Sequence, residues 1–391
     1  WREVVDRLGG QRPIRIPAVP EGSVVPTHHA LMTIESTDPA AFWVPSYLET
    51  MLLRIWYPIT VATISWHAKQ TIRQFLERTS DDPAGQLPFK LHDFGARGVS
   101  SLESAAFGGA AHLVNFMGTD TVSGLLLARA HYHAPMAGFS IPAAEHSTIT
   151  SWGRERELDA YRNMLRQFAK PGSIVAVVSD SYDIYHAIRE HWGKTLRDEV
   201  IASGGTLVVR PDSGDPVAVV HQCIELLDEA FGHTVNSKGY KVLNHVRVIQ
   251  GDGINPTSLR AILERVTSDG YATDNIAFGM GGALLQQLNR DTQKFALKCS
   301  AARVDGHWID VYKDPVTDKG KQSKRGRMTL LRHREYGSYR TVPVSAEAAS
   351  LADVEMPAGF DDAMVTVWED GRLLRDWTFD EVRANADAVK L

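Results

Sequence analysis

Cysteine is nearly absent: Cys223 and Cys299 are the only two in 391 residues, and no CxxC spacing links them. A disulfide framework is therefore not expected, and a reducing cytoplasm fits. Long apolar runs are missing too, and the longest falls far short of the roughly 20 residues that a membrane-spanning helix needs. Charge of either sign is not in marked excess, since 42 Lys+Arg stand against 47 Asp+Glu and leave a net −5. Such a balance gives no global attraction to nucleic acid or to an anionic membrane, so a phosphate-bearing ligand must be held by a local site. No signal peptide is visible, because the opening WREVVDRLGG is charged and lacks an apolar stretch. The chain also opens without Met, in what reads as mid-helix. An upstream N-terminal segment is expected to be missing from this numbering.

What is present has a rhythm. GSIVAVVSD (172–180), GTLVVRPDSG (205–214), VRVIQGDG (246–253) and NIAFGMGG (275–282) are short, apolar and rich in β-branched residues. Helical stretches at 183–192, 216–231, 256–267 and 283–291 separate or follow them. Buried strands alternating with amphipathic helices imply parallel βαβ units. FKLHDFGARG (89–98), HLVNFMGTDT (112–121) and GFSIPAAEHS (138–147) read as three further strands. Seven such strands suggest an α/β fold with a closed or incomplete parallel barrel, against which an open doubly wound sheet is the main competitor. The length suits two or three domains. Residues 1–88 and 292–391 read as the two parts of a second, β-rich domain, and 89–291 as the barrel.

In a barrel of this kind, the loops after the strands' C-terminal ends build the active site. Those ends carry Asp93, Arg97, Asp120, His146, Asp180, Arg210, Asp212, Asp252, Gly281 and Gly282. Each carboxylate alone also fits a helix N-cap, and Asp180-Ser181 and Asp212-Ser213 suit that use well. Together they describe a rim for a doubly anionic substrate. Gly281-Gly282 at a helix start, with Arg290 further on, suits a phosphate monoester. Asp212 and Asp252 suit vicinal sugar hydroxyls, while Arg97, Arg210, His146, Lys298 and Lys313 suit a second, more highly charged phosphate group. Two anionic ends separated by a diol describe a phosphoribosyl diphosphate, which reacts as diphosphate leaves and a nitrogen nucleophile captures the ribosyl centre.

HDFGARGVSS (92–101), HLVNFMGTDT (112–121), PAAEHSTITSWG (142–153), VVSDSYDIY (177–185), VRPDSGDP (209–216), SKGYK (237–241), VIQGDGI (248–254), FGMGGALLQQLNRD (278–291) and YKDPVTD (312–318) occur in that order. This series resembles the nicotinate/nicotinamide phosphoribosyltransferase family, along nearly the whole chain. The resemblance implies the incomplete α/β barrel of type II phosphoribosyltransferases. It also implies an enzyme that joins nicotinamide to 5-phosphoribosyl 1-diphosphate, giving nicotinamide mononucleotide and diphosphate in NAD salvage. A cytoplasmic homodimer with shared active sites is implied, with Mg²⁺ carried on the substrate diphosphate and ATP as an optional co-substrate. No metal site of the protein's own, no nucleic acid and no membrane are expected.

By the same resemblance, Phe94 stacks on the pyridine and Arg97 lies beside base and diphosphate. Asp120 matches an aspartate that accepts from the carboxamide NH₂, which selects the amide over the acid. His146 matches a histidine phosphorylated when ATP is used. Arg210 faces base and diphosphate, and Asp212, Gly251 and Asp252 face the ribose. Gly281, Gly282 and Arg290 match residues at the product's 5′-phosphate, and Lys298 and Lys313 match diphosphate-side lysines reached from a neighbouring subunit. Asp180 is placed in the site with a helix cap as its rival role. The basic stretch KGKQSKRGR (319–327) fits a solvated loop as well as an ATP or diphosphate contact. Met280 and Ala96 depart from the family pattern, in the glycine loop and in a wall of the base pocket. A nicotinate phosphoribosyltransferase of the same fold is the alternative. A barrel aldolase or isomerase and a non-enzymatic binding protein explain fewer of these residues.

Overall fold

Continuous β-branched runs have no polar face to offer solvent, and the strands they form are covered on both sides. Six strands make one parallel sheet: β1 (Leu91–Asp93), β2 (Gly118–Thr119), β3 (Ile174–Val178), β4 (Thr206–Arg210), β5 (Val246–Gln250) and β6 (Ile276–Met280). Their order is β2-β1-β6-β5-β4-β3, so the first strand lies beside the last and the sheet curls. The gap between β2 and β3 is crossed by residues 139–144. Phe139 bridges to Gly118 and Ala143 to Ala176, both in parallel sense. Four backbone hydrogen bonds hold that crossing: Thr119 N–H to Phe139 O at 3.0 Å, Phe139 N–H to Met117 O at 2.7 Å, Ala144 N–H to Ala176 O at 2.9 Å, and Ala176 N–H to Pro142 O at 2.9 Å. The seventh strand read at 138–147 is thus reduced to two bridges, and Pro142, which has no N–H to give, is one reason. The barrel is closed by a seam rather than by a full ladder.

Strand alternation sorts the side chains. Ala176, Val208 and Ile249 form a buried cluster, with Phe94, Ile141 and Ala277 packed on it. These residues come from six different positions around the barrel and make an inner layer. Their strand neighbours Val177, Val209, Val248 and Phe278 are fully buried and point the other way, toward the helices. Helices Pro216–Phe231 and Pro256–Ser268 occupy the stretches read for them.

Buried polar side chains tie the strands at their starts. Lys90 Nζ donates to the carbonyls of Thr273, Asp274 and Ile276 at 3.0–3.1 Å, and burial pushes its amine down to about 7. His112 Nε2 lies 3.2 Å from the carbonyls of both Leu91 and Gly118, and its Nδ1 lies 3.0 Å from Ser65 Oγ. Burial pushes this imidazole down to about 4.

The computed structural model describes residues 1–317, 322–345 and 356–389. Two compact units emerge, Pro58–Asn289, which holds the barrel, and Trp1–Tyr57 with Arg290–Val389. Residues 58–88, read from sequence with the β-rich ends, fall in the barrel unit, because helix Trp56–Thr79 buries Val61, Ile72, Phe75 and Leu76.

The second unit is built from antiparallel sheets. One orders strands 372–373, 365–369, 14–18 and 35–36; another orders 339–343, 328–333 and 360–362. MTLLRHREYGSYRTVPV forms the hairpin its alternation predicts. Ile14, Ile16, Ala41, Val44 and Leu48 make this unit's buried cluster. Of the basic stretch 319–327, residues 319–321 lie outside the described residues.

Some local readings change. The first half of HLVNFMGTDT ends helix Leu102–Leu113 instead of beginning a strand. The helix read at 283–291 is the single turn Gly282–Leu285, since Gln286 and Gln287 N–H both fold back on Gly282 O. Residues 183–192 divide into a turn of α-helix, Ile184–His186, and a π-helix, Ala187–Thr195. A hairpin of 233–235 with 241–243 carries SKGYK in its turn.

Candidate active site

Each rim residue stands where a strand stops. Asp180 follows β3, Arg210 ends β4 with Asp212 just beyond, and His146 opens a short helix just after the seam. Arg210 Nη2 donates to both oxygens of Asp212, at 3.0 and 2.9 Å. His146 Nε2 lies 2.8 Å from Asp180 Oδ1, and its Nδ1 lies 3.9 Å from Asp212 Oδ2. Asp180 Oδ2 accepts from the Asp212 N–H at 3.1 Å and from Ser213 Oγ at 2.7 Å. The four predicted residues form one network: Asp180 and Asp212 are nearly buried at its centre, while the His146 side chain remains 45% exposed.

The helix-cap reading of Asp180 and Asp212 is set aside by this geometry. Asp183 caps the next helix through the N–H groups of Tyr185 and His186, and Asp215 caps Pro216–Phe231 through Ala218 N–H. Each cap lies three residues past the rim carboxylate, which leaves Asp180 and Asp212 for the network.

Phe94 leaves β1 and joins the inner layer, with its N–H donating to Met280 O at 3.0 Å. The Arg210 guanidinium stands over its ring, 5.3 Å from the centroid. Two glycines make this arrangement possible. A Cβ on Gly279 would land in the Phe94 ring. One on Gly251 would meet Asp212 Oδ1 at 3.0 Å and Arg210 Nη2 at 3.2 Å. Gly251 is therefore a clearance for the ion pair, and Asp252 beside it is exposed, with its carbonyl accepting from Gln250 Nε2 at 2.8 Å.

Asp120 is exposed beyond β2 and accepts from Ser140 Oγ, a residue of the seam, at 2.6 Å. Arg97 lies in a short exposed turn, Ala96–Gly98, and its field reaches Glu145, whose carboxyl the Ser147 hydroxyl already holds below the usual range. Gly281 and Gly282 open the single helical turn after β6. Met280 is fully buried at the end of β6, and Ala96 is part of the Arg97 turn.

Arg290, Lys298 and Lys313 belong to the other unit. There Arg290 pairs with Asp291 at 2.8 Å, and Lys298 is exposed. The backbone of Lys313 is pinned to Ser323 by hydrogen bonds of 2.8 and 3.0 Å. Among the described residues, no three His, Cys, Asp or Glu side chains gather as a metal site.

Two polar residues of this rim, Ser140 and Ser213, receive no site role from the sequence, and Asp93, read there among the strand ends, receives no role of its own. Serine gives no motif of its own, and Asp93 has a visible motif but no visible burial.

The nicotinate phosphoribosyltransferase (NAPRTase) family model matches residues 89–354. Over 391 residues the chain is 76% identical to the nicotinamide phosphoribosyltransferase of Xanthomonas campestris pv. campestris (strain 8004), across all of this chain and 82% of that protein. It is 33% identical over 396 residues to the nicotinamide phosphoribosyltransferase of Acinetobacter baylyi, across 96% of this chain and 76% of that one. Among solved structures, the nicotinate-nucleotide pyrophosphorylase from Pyrococcus furiosus superposes with a TM-score of 0.64 at 18% identity, covering 99% of this chain and 82% of that one. At that identity the likeness is one of fold.

Proposed function

The chain belongs to the nicotinate phosphoribosyltransferase family, and from that premise we propose how its rim works as a nicotinamide phosphoribosyltransferase of NAD salvage. The C1′–O bond to diphosphate breaks, a C1′–N bond to the pyridine nitrogen forms, and diphosphate leaves. The observation that carries this reading is the linked set Phe94, Arg210, Asp212, Asp180 and His146 at the strands' C-terminal ends.

Phe94 offers an aromatic face to the pyridine, and Arg210 fixes the edge of that slot. Asp120 accepts from the carboxamide NH₂ while Ser140 holds its other oxygen. Asp212 faces the ribose, where a carboxylate stabilises the cation-like centre as the leaving group departs. Because Arg210 holds both Asp212 oxygens, that carboxylate is fixed in place before the substrate arrives. Gly251 and Asp252 complete the ribose side. Arg97 serves base and diphosphate, and Gly281 and Gly282 present backbone N–H groups to the 5′-phosphate. Arg290 is assigned to that phosphate, and Lys298 and Lys313 to the diphosphate of a neighbouring subunit. No covalent ribosyl intermediate is formed.

Mg²⁺ arrives on the substrate's diphosphate oxygens, the usual way in which this ion meets phosphate sites. ATP acts as an optional co-substrate: its terminal phosphoryl group would pass to an imidazole nitrogen of His146 as the bond to the β-phosphate breaks and ADP leaves, with the ring oriented by Asp180. A homodimer is supported by apolar side chains left exposed on adjacent helices, among them Leu102, Phe107, Val122 and Leu126. A cytoplasmic location agrees with free, unpaired Cys223 and Cys299. No helix among the described residues is long and apolar enough to cross a membrane.

The test is a competition. The protein is given phosphoribosyl diphosphate, Mg²⁺ and equal nicotinamide and nicotinic acid, and the mononucleotide is identified by mass. The amide product is expected. The acid product would keep the fold and overturn the reading of Asp120.

A further inference from the structure

Asp93, the last residue of β1, takes no part in the scheme above, yet it touches two residues that the scheme assigns to the base. It is fully buried. Its Oδ1 accepts from Gly95 N–H at 2.7 Å, which closes the turn that carries Phe94. Its backbone carbonyl accepts from Asp120 N–H at 3.0 Å. Its Oδ2 is buried and makes no hydrogen bond of good geometry; Thr121 Oγ1, the next hydroxyl along from Asp120, is equally unsatisfied and acts on the same carboxyl. A carboxylate inside an apolar wall is costly unless it holds something in place.

We propose that Asp93 is a positioning residue whose ionised carboxylate keeps the Phe94 turn in the arrangement that receives the pyridine ring, beside the Asp120 that the same strand end holds through its backbone. This rests on the reading of Phe94 and Asp120 given under Proposed function. The hydrogen bond from Gly95 is charge-assisted while Asp93 is ionised, and it weakens when the carboxyl is protonated. Burial pushes that carboxyl up to about 6, Gly95 N–H and the Thr121 hydroxyl pull against burial, and Asp120 adds a like charge. Asp120 is the charged group acting on Asp93 from the β2 side; β6 pairs Met280 with it, and burial pushes the neighbouring His92 imidazole down while Asp120 pulls it up. Nicotinamide affinity should therefore have an acid limb, full above the limb and lost as pH falls through it.

The experiment is calorimetric binding of nicotinamide to the wild-type protein, Asp93→Asn and Thr121→Val from pH 5 to 8 without ATP, together with kcat at saturating nicotinamide. The wild type should lose affinity below pH 6. Asp93→Asn keeps the shape but not the charge, so it should bind about fivefold more weakly at pH 7.5, as expected from losing charge assistance in one hydrogen bond, and show no limb. Its kcat at saturation should stay within about twofold of wild type, because the loss falls on base binding, not on a step after it. Thr121→Val should move the limb to higher pH without abolishing it. A limb that survives in Asp93→Asn, or a flat wild-type profile, overturns the proposal. So does a variant that loses stability, affinity and kcat together with an unchanged pH profile, since that marks a merely structural residue. A wild-type protein that binds no nicotinamide at any pH overturns the functional reading as well.

Discussion

Replacing Asp120 by Asn should convert an enzyme that prefers the amide into one that also accepts nicotinic acid. Nicotinate brings a carboxylate to the position where the amide NH₂ would lie. Two unit charges about 4 Å apart repel by about 4 kcal/mol at an effective dielectric of 20, and by about 1 kcal/mol in bulk water. Asp120 is exposed, so solvent screening keeps the value within that bracket and away from its top. The corresponding discrimination lies between roughly fivefold and roughly 10³-fold. Asn removes the repulsion, keeps a carbonyl oxygen for Ser140, and turns an NH₂ toward the acid. It still offers the amide substrate a hydrogen bond, now to a neutral group, at a cost of about 1 kcal/mol. The ratio of kcat/KM for the two bases, measured by mass in a mixed-substrate assay, should shift toward the acid by about 10-fold or more. A ratio unchanged within twofold would refute the assignment of Asp120 to the amide.

Asp180→Asn should lower the ATP-stimulated rate by about 10- to 100-fold, the value of a charge-assisted hydrogen bond at 2.8 Å. Combined with His146→Ala it should cost no more than the worse single change, and additive losses in initial-rate assays would separate the two residues. Gly279→Ala forces the Phe94 ring aside. It should raise the nicotinamide KM severalfold and cost about 1–3 kcal/mol of stability in urea unfolding; an unchanged KM would detach Phe94 from the base. Folded His112 resists protonation down to about pH 4, whereas the unfolded imidazole binds a proton near its ordinary value. Stability should therefore be full above about pH 6.5 and fall toward pH 4. His112→Gln should flatten that slope in thermal melts taken across the window, and an unaltered slope would assign it to other groups.

The strands with continuous β-branched character, β3 to β6, were legible in the sequence because hydrophobic runs bounded by Gly or Asp have few other uses. The seam was legible as a segment but not as a broken one, since pairing depends on partners 21 to 33 residues away, such as Gly118 and Ala176. Helix 102–113 was hidden by its Ala and Gly content, which carries little periodicity. At the rim, residue types and positions were readable, but the pairing of His146 with Asp180, 34 residues apart, arises only when β3 and the seam lie side by side. The clearance at Gly251 is likewise a property of two strand ends together, those of β4 and β5.

Four backbone hydrogen bonds close the barrel between β2 and β3, and the same few residues carry Ser140, the hydroxyl that steadies Asp120. On the role proposed for Asp120, the weakest joint of the scaffold is thus also the part that would tell one pyridine from another. A change of length or sequence in this segment would leave the ladders β2-β1-β6-β5-β4-β3 untouched while redirecting the recognition of the base. Under that proposal, substrate choice is mechanically separable from fold and resides where the barrel can be altered at least cost to the rest.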